Sequence, residues 1–95
     1  MHHQLLLYDY VEDIVARRAT HREAHLAGLR REQEAGHLLI AGAFGDPPVG
    51  AVFVFDGVDA DHVRSFVQTD PYVLAGLVTS WRVEPYNMVF GPAAP

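Results

Sequence analysis

Residues 37–55, HLLIAGAFGDPPVGAVFVF, hold two apolar runs divided by a turn, and they set the architecture of the chain. His37 to Phe44 is short and apolar, so it reads as a strand. Gly45-Asp46-Pro47-Pro48 gathers turn-forming residues, Gly for its conformational range and Pro for its fixed φ. Gly50 to Phe55, rich in Val and Phe, reads as the returning strand of a hairpin. Asp56-Gly57 ends it.

Outward from the hairpin, each flank offers a helix and then a strand. On the N-terminal side, Gln4 to Tyr10 (QLLLYDY) is a strand with Leu on both faces, as in a central strand covered on both sides. Val11 to Ala35 reads as one long helix. Val15, Ala19, Arg22, Leu26, Leu29 and Gln33 recur at roughly 3.5-residue spacing, and Arg17, Arg18, Glu23, Arg30, Arg31, Glu32 and Glu34 make a mixed-charge outer face. Asp13 is a candidate N-cap and Gly36 a candidate C′ residue. On the C-terminal side, Asp59 to Thr69 is a second helix with Val63, Phe66 and Val67 inward. Asp70-Pro71 restarts a short helical piece over Tyr72 to Leu77. Thr79 to Phe90 is the last strand, and Pro85 within it marks an edge or a bulge. Gly91 to Pro95 is expected to be a flexible tail.

The order β-α-β-β-α-β is the ferredoxin-like signature of the α+β class. It implies one domain over residues 1–95, with a core at 4–90. Right-handed crossovers place both helices on one face of a four-stranded antiparallel sheet. The opposite face is then bare, and alternation along the third strand gives it either Phe53 and Phe55 or Val52 and Val54. An apolar sheet face needs a cover, and a second copy of the chain is the simplest one. A homodimer with sheets packed face to face is the expectation.

Composition excludes several kinds of function. The 95 residues carry a net charge of −5, and the seven positive charges are all Arg. No basic stripe is available to neutralise phosphates, so nucleic acid is not an expected partner. Without Lys there is no Schiff base and no P-loop. Without Cys there is no disulfide, thiolate metal site or Cys nucleophile. Ser65 and Ser80 lack a nucleophile-elbow setting, and Gly42-Ala43-Phe44-Gly45 lacks the spacing of a phosphate loop. No cofactor is expected. The start, MHHQLLL, is unlike a signal peptide, and no run approaches the roughly 20 apolar residues of a membrane span. A cytoplasmic protein with no membrane partner is therefore expected. His2 and His3 are native or a tag remnant.

Histidine is the remaining versatile group. His21 and His25 are four apart and share a helix face. In His21-Arg22-Glu23-Ala24-His25 the Glu stands one place too late for a zincin, and no third ligand is evident, so no metal is assigned. His25 flanks the buried stripe; it is either a structurally bonded core histidine or a general acid or base, since imidazole ordinarily titrates at about 6.5. Asp70 before Pro71 is explained by a helix cap with proline at the first position. The same cap carboxylate is suited to orient an imidazole. His37 is expected to be exposed, and Asp59, Asp61 and His62 form a helix start with a solvated face. Tyr8 is placed to line a pocket or the core. Gly42, inside a strand, suggests close backbone approach or a bulge.

These pieces resemble the YciI-like proteins. The resemblance rests on LLLYDY, on Arg22-x-x-His25-Leu26 within HREAHLAGL, on Gly36-His37-Leu38-Leu39-Ile40-Ala41-Gly42, on the Phe53 strand, and on Asp70-Pro71-Tyr72 before Ala75-Gly76-Leu77. It spans about Leu5 to Phe90. It implies a dimeric ferredoxin-like α/β barrel assembly and a cleft holding a catalytic His25 and Asp70. Arg22, Tyr8, Gly42 and Tyr72 are the corresponding candidates for substrate contact, Arg22 for an anionic group. One related activity eliminates HCl from a chlorinated hydroxyquinol, which points to lyase-like proton-transfer chemistry on a small, oxygenated aromatic ligand. The 45–48 loop is shorter than in many relatives. The alternative is a noncatalytic small-ligand binding or accessory protein with structural roles for His25 and Asp70.

Overall fold

A computed structural model describes residues 3–92. Its elements are β1 (His3–Tyr10), α1 (Ile14–Arg17), α2 (Arg22–Glu34), β2 (Leu38–Phe44), β3 (Gly50–Asp56), α3 (Ala60–Thr69), α4 (Pro71–Leu74) and β4 (Val78–Tyr86). The four strands form one antiparallel sheet in the order β2-β3-β1-β4. This is the ferredoxin-like α+β arrangement expected from the element order. Among the described residues, no helix is long and apolar enough to cross a membrane. His2 and residues 93–95 of the expected tail lie outside the described part.

The register separates the two faces of the sheet. Leu6 pairs with Phe53 and Tyr8 with Ala51. These residues and Phe55 join Val63 and Val67 of α3 in the main core, with Leu29 and Phe66 packed against it. Alternation sends their neighbours to the other side. Leu5 lies opposite Val54 and Leu7 opposite Val52 there. Of the two sets left open by the sequence, Phe53 and Phe55 therefore lie beneath the helices, and Val52 and Val54 belong to the outer face. Ile40 pairs with Val54 and Phe44 with Gly50 on that face, and both Ile40 and Phe44 are exposed.

The long helix expected over 11–35 is two helices. Arg18 to His21 breaks it, with the His21 N–H turning back to the Arg18 carbonyl at 2.9 Å. No Gly or Pro stands there; packing makes the division. Ile14 of α1 enters a small satellite core with Tyr72 and Leu77, while α2 lies against β2 and α4. One straight helix cannot serve both sets of neighbours, and the β-branched Thr20 costs little to leave out of helix. Asp13 stands at the N-cap position of α1 without a capping bond. Gly36 does end α2's reversal, at φ +81°.

Two further boundaries shift: α4 ends at Leu74 instead of Leu77, and β4 stops at Tyr86 instead of Phe90, with Met88 beyond it buried. β4 is an edge strand, which tolerates Pro85 because one side of the strand has no ladder to supply. Between β2 and β3 the register slips from Leu38 to Ile40, so the irregularity falls at Leu39, not at Gly42. The close approach is at Gly50, where a Cβ would lie 2.3 Å from the Tyr8 carbonyl oxygen.

Candidate functional site

Asp70 stands between two helices. It follows α3 in extended backbone, at φ −68° and ψ 122°, and caps α4 by accepting the Tyr72 N–H on Oδ1 at 3.1 Å. Pro71 holds the first helical position, where its missing N–H is no loss. The local sequence thus fixes this carboxyl at a helix start, in the positive end of a short dipole. The junction also carries it into the interior, where Asp70 is 3% exposed.

Two side chains meet it there. Nδ1 of His25, in the second turn of α2, lies 2.8 Å from Oδ1, and the Tyr8 hydroxyl of β1 donates to Oδ2 at 2.7 Å. The Tyr8 O–H and the Tyr72 N–H each donate to one of its oxygens, so the carboxylate meets His25 as an acceptor. An imidazole facing an acceptor carries its N–H on Nδ1, which leaves Nε2 for a ligand. The imidazole is held further by stacking on Tyr72, at 3.8 Å between centroids and 5° between planes. His25 is itself 6% exposed.

Beside His25 lies a cavity of about 190 Å³, whose walls include Tyr10, Arg18, Arg22, Gly42, Phe53 and Tyr72. The Tyr72 hydroxyl is buried and has no hydrogen-bond partner. A buried hydroxyl in that state is costly unless something else completes it. Two guanidinium groups four residues apart, an imidazole and two phenols suit a small planar ligand with anionic oxygens. The cavity would hold about one ring with its substituents.

His25, Arg22, Gly42 and Tyr72 share this cavity, and Asp70 orients His25 from behind. Tyr8 does not line it; its hydroxyl is engaged by Asp70. Arg18 and Tyr10 line the cavity as well. Arg18 stands four residues before Arg22, but the break at Arg18–His21 takes it out of α2, so the fold and not a shared helix face brings it to the cavity. His21 does not join His25 around a third ligand; among the described residues, the gathered metal-type side chains are Glu32, His37 and His62.

Burial, followed by the neighbouring Asp70, pushes the Tyr8 hydroxyl far above its ordinary value of 10.0. Tyr10 is pushed up to about 12, chiefly by burial and then by Tyr72 and Asp70, with Arg18 and Arg22 pulling the other way. Both phenols thus remain donors at neutral pH. Raised values mean that the native state keeps protons which the unfolded chain releases near pH 10. Stability from these groups is full below pH 10 and falls above it. The expected slope is up to about tenfold in the unfolding constant per pH unit for each tyrosine. Urea titrations between pH 8 and 11.5 measure it; Tyr8→Phe and Tyr10→Phe should each flatten the alkaline limb, and unchanged slopes in both would contradict this account.

The model of the YCII-related domain matches residues 1–87. The chain belongs to the YCII-related family. Among solved structures, this YCII domain is similar to 5-chloro-2-hydroxyhydroquinone dehydrochlorinase (TftG) from Burkholderia phenoliruptrix AC1100, in complex with 2,5-dihydroxybenzoquinone. The TM-score is 0.75 at 24% identity, over 88% of this chain and 92% of that one. It is also similar to protein Atu4242 from Agrobacterium tumefaciens, with a TM-score of 0.57 at 14% identity, over 90% of this chain and 91% of that one. At these identities the likeness is one of fold. No functionally curated protein matches the chain.

Proposed function

We propose that this YCII domain is a small acid–base enzyme of the lyase kind that acts on an oxygenated aromatic ring. The observation that carries the reading is the Tyr8–Asp70–His25 relay of hydrogen bonds, which ends at a free imidazole nitrogen beside a cavity with two arginines. Asp70 fixes the imidazole so that Nε2 carries the lone pair, the state required of a base. Nε2 takes a proton from a ring hydroxyl, and Arg18 and Arg22 hold the oxyanion that develops. The imidazolium returns that proton to the ring carbon that bears the leaving group, so the oxygen becomes a carbonyl and that carbon becomes tetrahedral. Nε2 then takes the proton of a second ring hydroxyl; its oxygen becomes a carbonyl, the ring double bond shifts toward the tetrahedral carbon, and a leaving group such as chloride departs with its bonding electrons. The imidazolium releases this second proton to water. The similarity to a dehydrochlorinase that acts on a hydroxyhydroquinone supports this choice of ligand class.

Leu5, Leu7, Ile40, Phe44, Val52 and Val54 give the sheet an apolar outer face, and a homodimer through that face would cover it. A chain without Cys suits the reducing cytoplasm.

The test is turnover of chlorinated and hydroxylated hydroquinones by wild type, His25→Ala and His25→Gln. Loss of roughly 10²- to 10⁴-fold in kcat for both variants is expected, because neither side chain can take the proton. Equal turnover by wild type and variants would remove His25 from the chemistry. Tight binding by all three with no turnover in any would instead identify a noncatalytic ligand-binding protein.

A further inference from the structure

A second cluster of polar side chains lies away from the Asp70 relay. Glu32 lies in the last turn of α2, His37 stands one residue before β2, and His62 is in the first turn of α3. Glu32 Oε1 is 2.5 Å from His62 Nε2 and 3.8 Å from His37 Nδ1, and the three donor atoms lie within 4.8 Å of one another. The two imidazoles meet edge to face, 4.7 Å apart. All three residues are partly buried. The side chains expected at exposed positions thus face a common point.

We propose that Glu32, His37 and His62 form a binding site for a first-row divalent cation of the zinc type. Two neutral imidazoles and one carboxylate are a ligand set for such ions, with one or more positions left for water or a ligand. Zinc bonds of about 2.0–2.1 Å in tetrahedral geometry put neighbouring ligand atoms about 3.3 Å apart. The Glu32–His37 separation is already near that value, and the Glu32–His62 contact needs to open by about 0.8 Å to admit an ion. His37 supplies the independent sign. Its Nδ1 is buried and has no hydrogen-bond partner, although it faces the carboxylate. A bound cation would satisfy it.

The backbone holds the three residues in place before any ion arrives. The His37 N–H donates to the Glu32 carbonyl at 2.9 Å, and the His37 carbonyl accepts from Asp56 of β3 at 2.8 Å. The His62 N–H donates to the Asp59 cap carboxylate at 2.9 Å. The site therefore ties the end of α2 to the start of α3 across the edge of the hairpin. Glu32 and His62 also border a groove of about 240 Å³ that reaches His25 and Asp70. An ion there stands on the rim of the same groove, and its open positions are accessible to an oxygen-bearing ligand.

The experiment is titration of the wild-type protein with Co²⁺, followed by absorption between 500 and 650 nm, and competition by Zn²⁺. One equivalent of Co²⁺ should give intense bands of low-coordinate cobalt, and Zn²⁺ should abolish them. Mg²⁺ should not compete, since hard oxygen sites suit it better. His37→Ala, His62→Ala and Glu32→Gln should each weaken binding by at least tenfold, and His21→Ala should leave it unchanged. Zn²⁺ at a hundredfold excess over Kd should raise the wild-type Tm by roughly 10 °C. Circular dichroism of His37→Ala, His62→Ala and Glu32→Gln checks that the fold survives in each. The proposal fails if wild type binds neither ion at micromolar concentration, in which case Glu32 and His62 serve only as an ion pair. It fails equally if folded His37→Ala and His62→Ala bind cobalt as tightly as wild type.

Discussion

Asp70→Ala is expected to lower the unfolding free energy by about 3–5 kcal/mol, since three buried donors lose their acceptor at about 1–3 kcal/mol each. The change strands three donors at once. The Tyr8 hydroxyl, the His25 ring N–H and the Tyr72 backbone N–H all lose their acceptor, and none has a second protein partner nearby. Each buried unsatisfied group costs about 1–3 kcal/mol, and the loss of a helix cap is part of the same sum. A small domain has only about 5–15 kcal/mol in total, so the variant should be partly unfolded at 37 °C. Asp70→Asn keeps an acceptor for some of these bonds and should cost less. It also offers its own N–H₂ where donors already converge, so the imidazole loses its orientation. Urea denaturation of the three proteins separates these effects. A cost below 1 kcal/mol for Asp70→Ala would show that the carboxylate is not the hub described.

Phe53→Ala should cost a similar 3–5 kcal/mol, through a cavity instead of lost hydrogen bonds. The ring is 1% exposed. It meets Tyr8 edge to face at 4.7 Å, Phe66 at 6.1 Å and His25 at 6.4 Å. Removing it opens space beneath the imidazole and enlarges the 190 Å³ cavity that it helps to wall. Phe53→Leu retains most of the volume and should cost roughly 1.5 kcal/mol or less. The two are told apart by the denaturation midpoint, and the Ala variant should also bind ring-shaped ligands more loosely. If both variants were as stable as wild type, Phe53 could not be the keystone of the core.

The parts of the molecule that were legible in sequence are those fixed by neighbours in sequence. The hairpin at 37–55 carries its turn chemistry with it, and Asp70-Pro71 declares a helix start. The α2 stop at Gly36 needs only the glycine's positive φ. The break at Arg18–His21 was not legible, because no residue there refuses helix; the division follows from Ile14 packing against Tyr72 and Leu77, more than 50 residues away. The pairing of His25 with Asp70 had the same difficulty. Each residue had an ordinary local explanation, and only the family resemblance put them together before the fold did. The hydroxyl of Tyr8 and the guanidinium of Arg18 needed three dimensions, as did the approach of His62 to Glu32 across 30 residues.

The carboxylate of Asp70 holds β1, α2 and α4 together with the same two oxygens that orient the imidazole. Its hold on the imidazole and its hold on the three elements cannot be altered separately. The rim behaves in the opposite way. Ala41 and Ala43 line the cavity from β2 and are exposed. Replacements there are cheap in stability. On the proposed reading, the route to a new substrate runs through the rim, with the proton-handling centre inherited whole; a lineage or an engineer would change what enters this cavity long before changing what happens inside it.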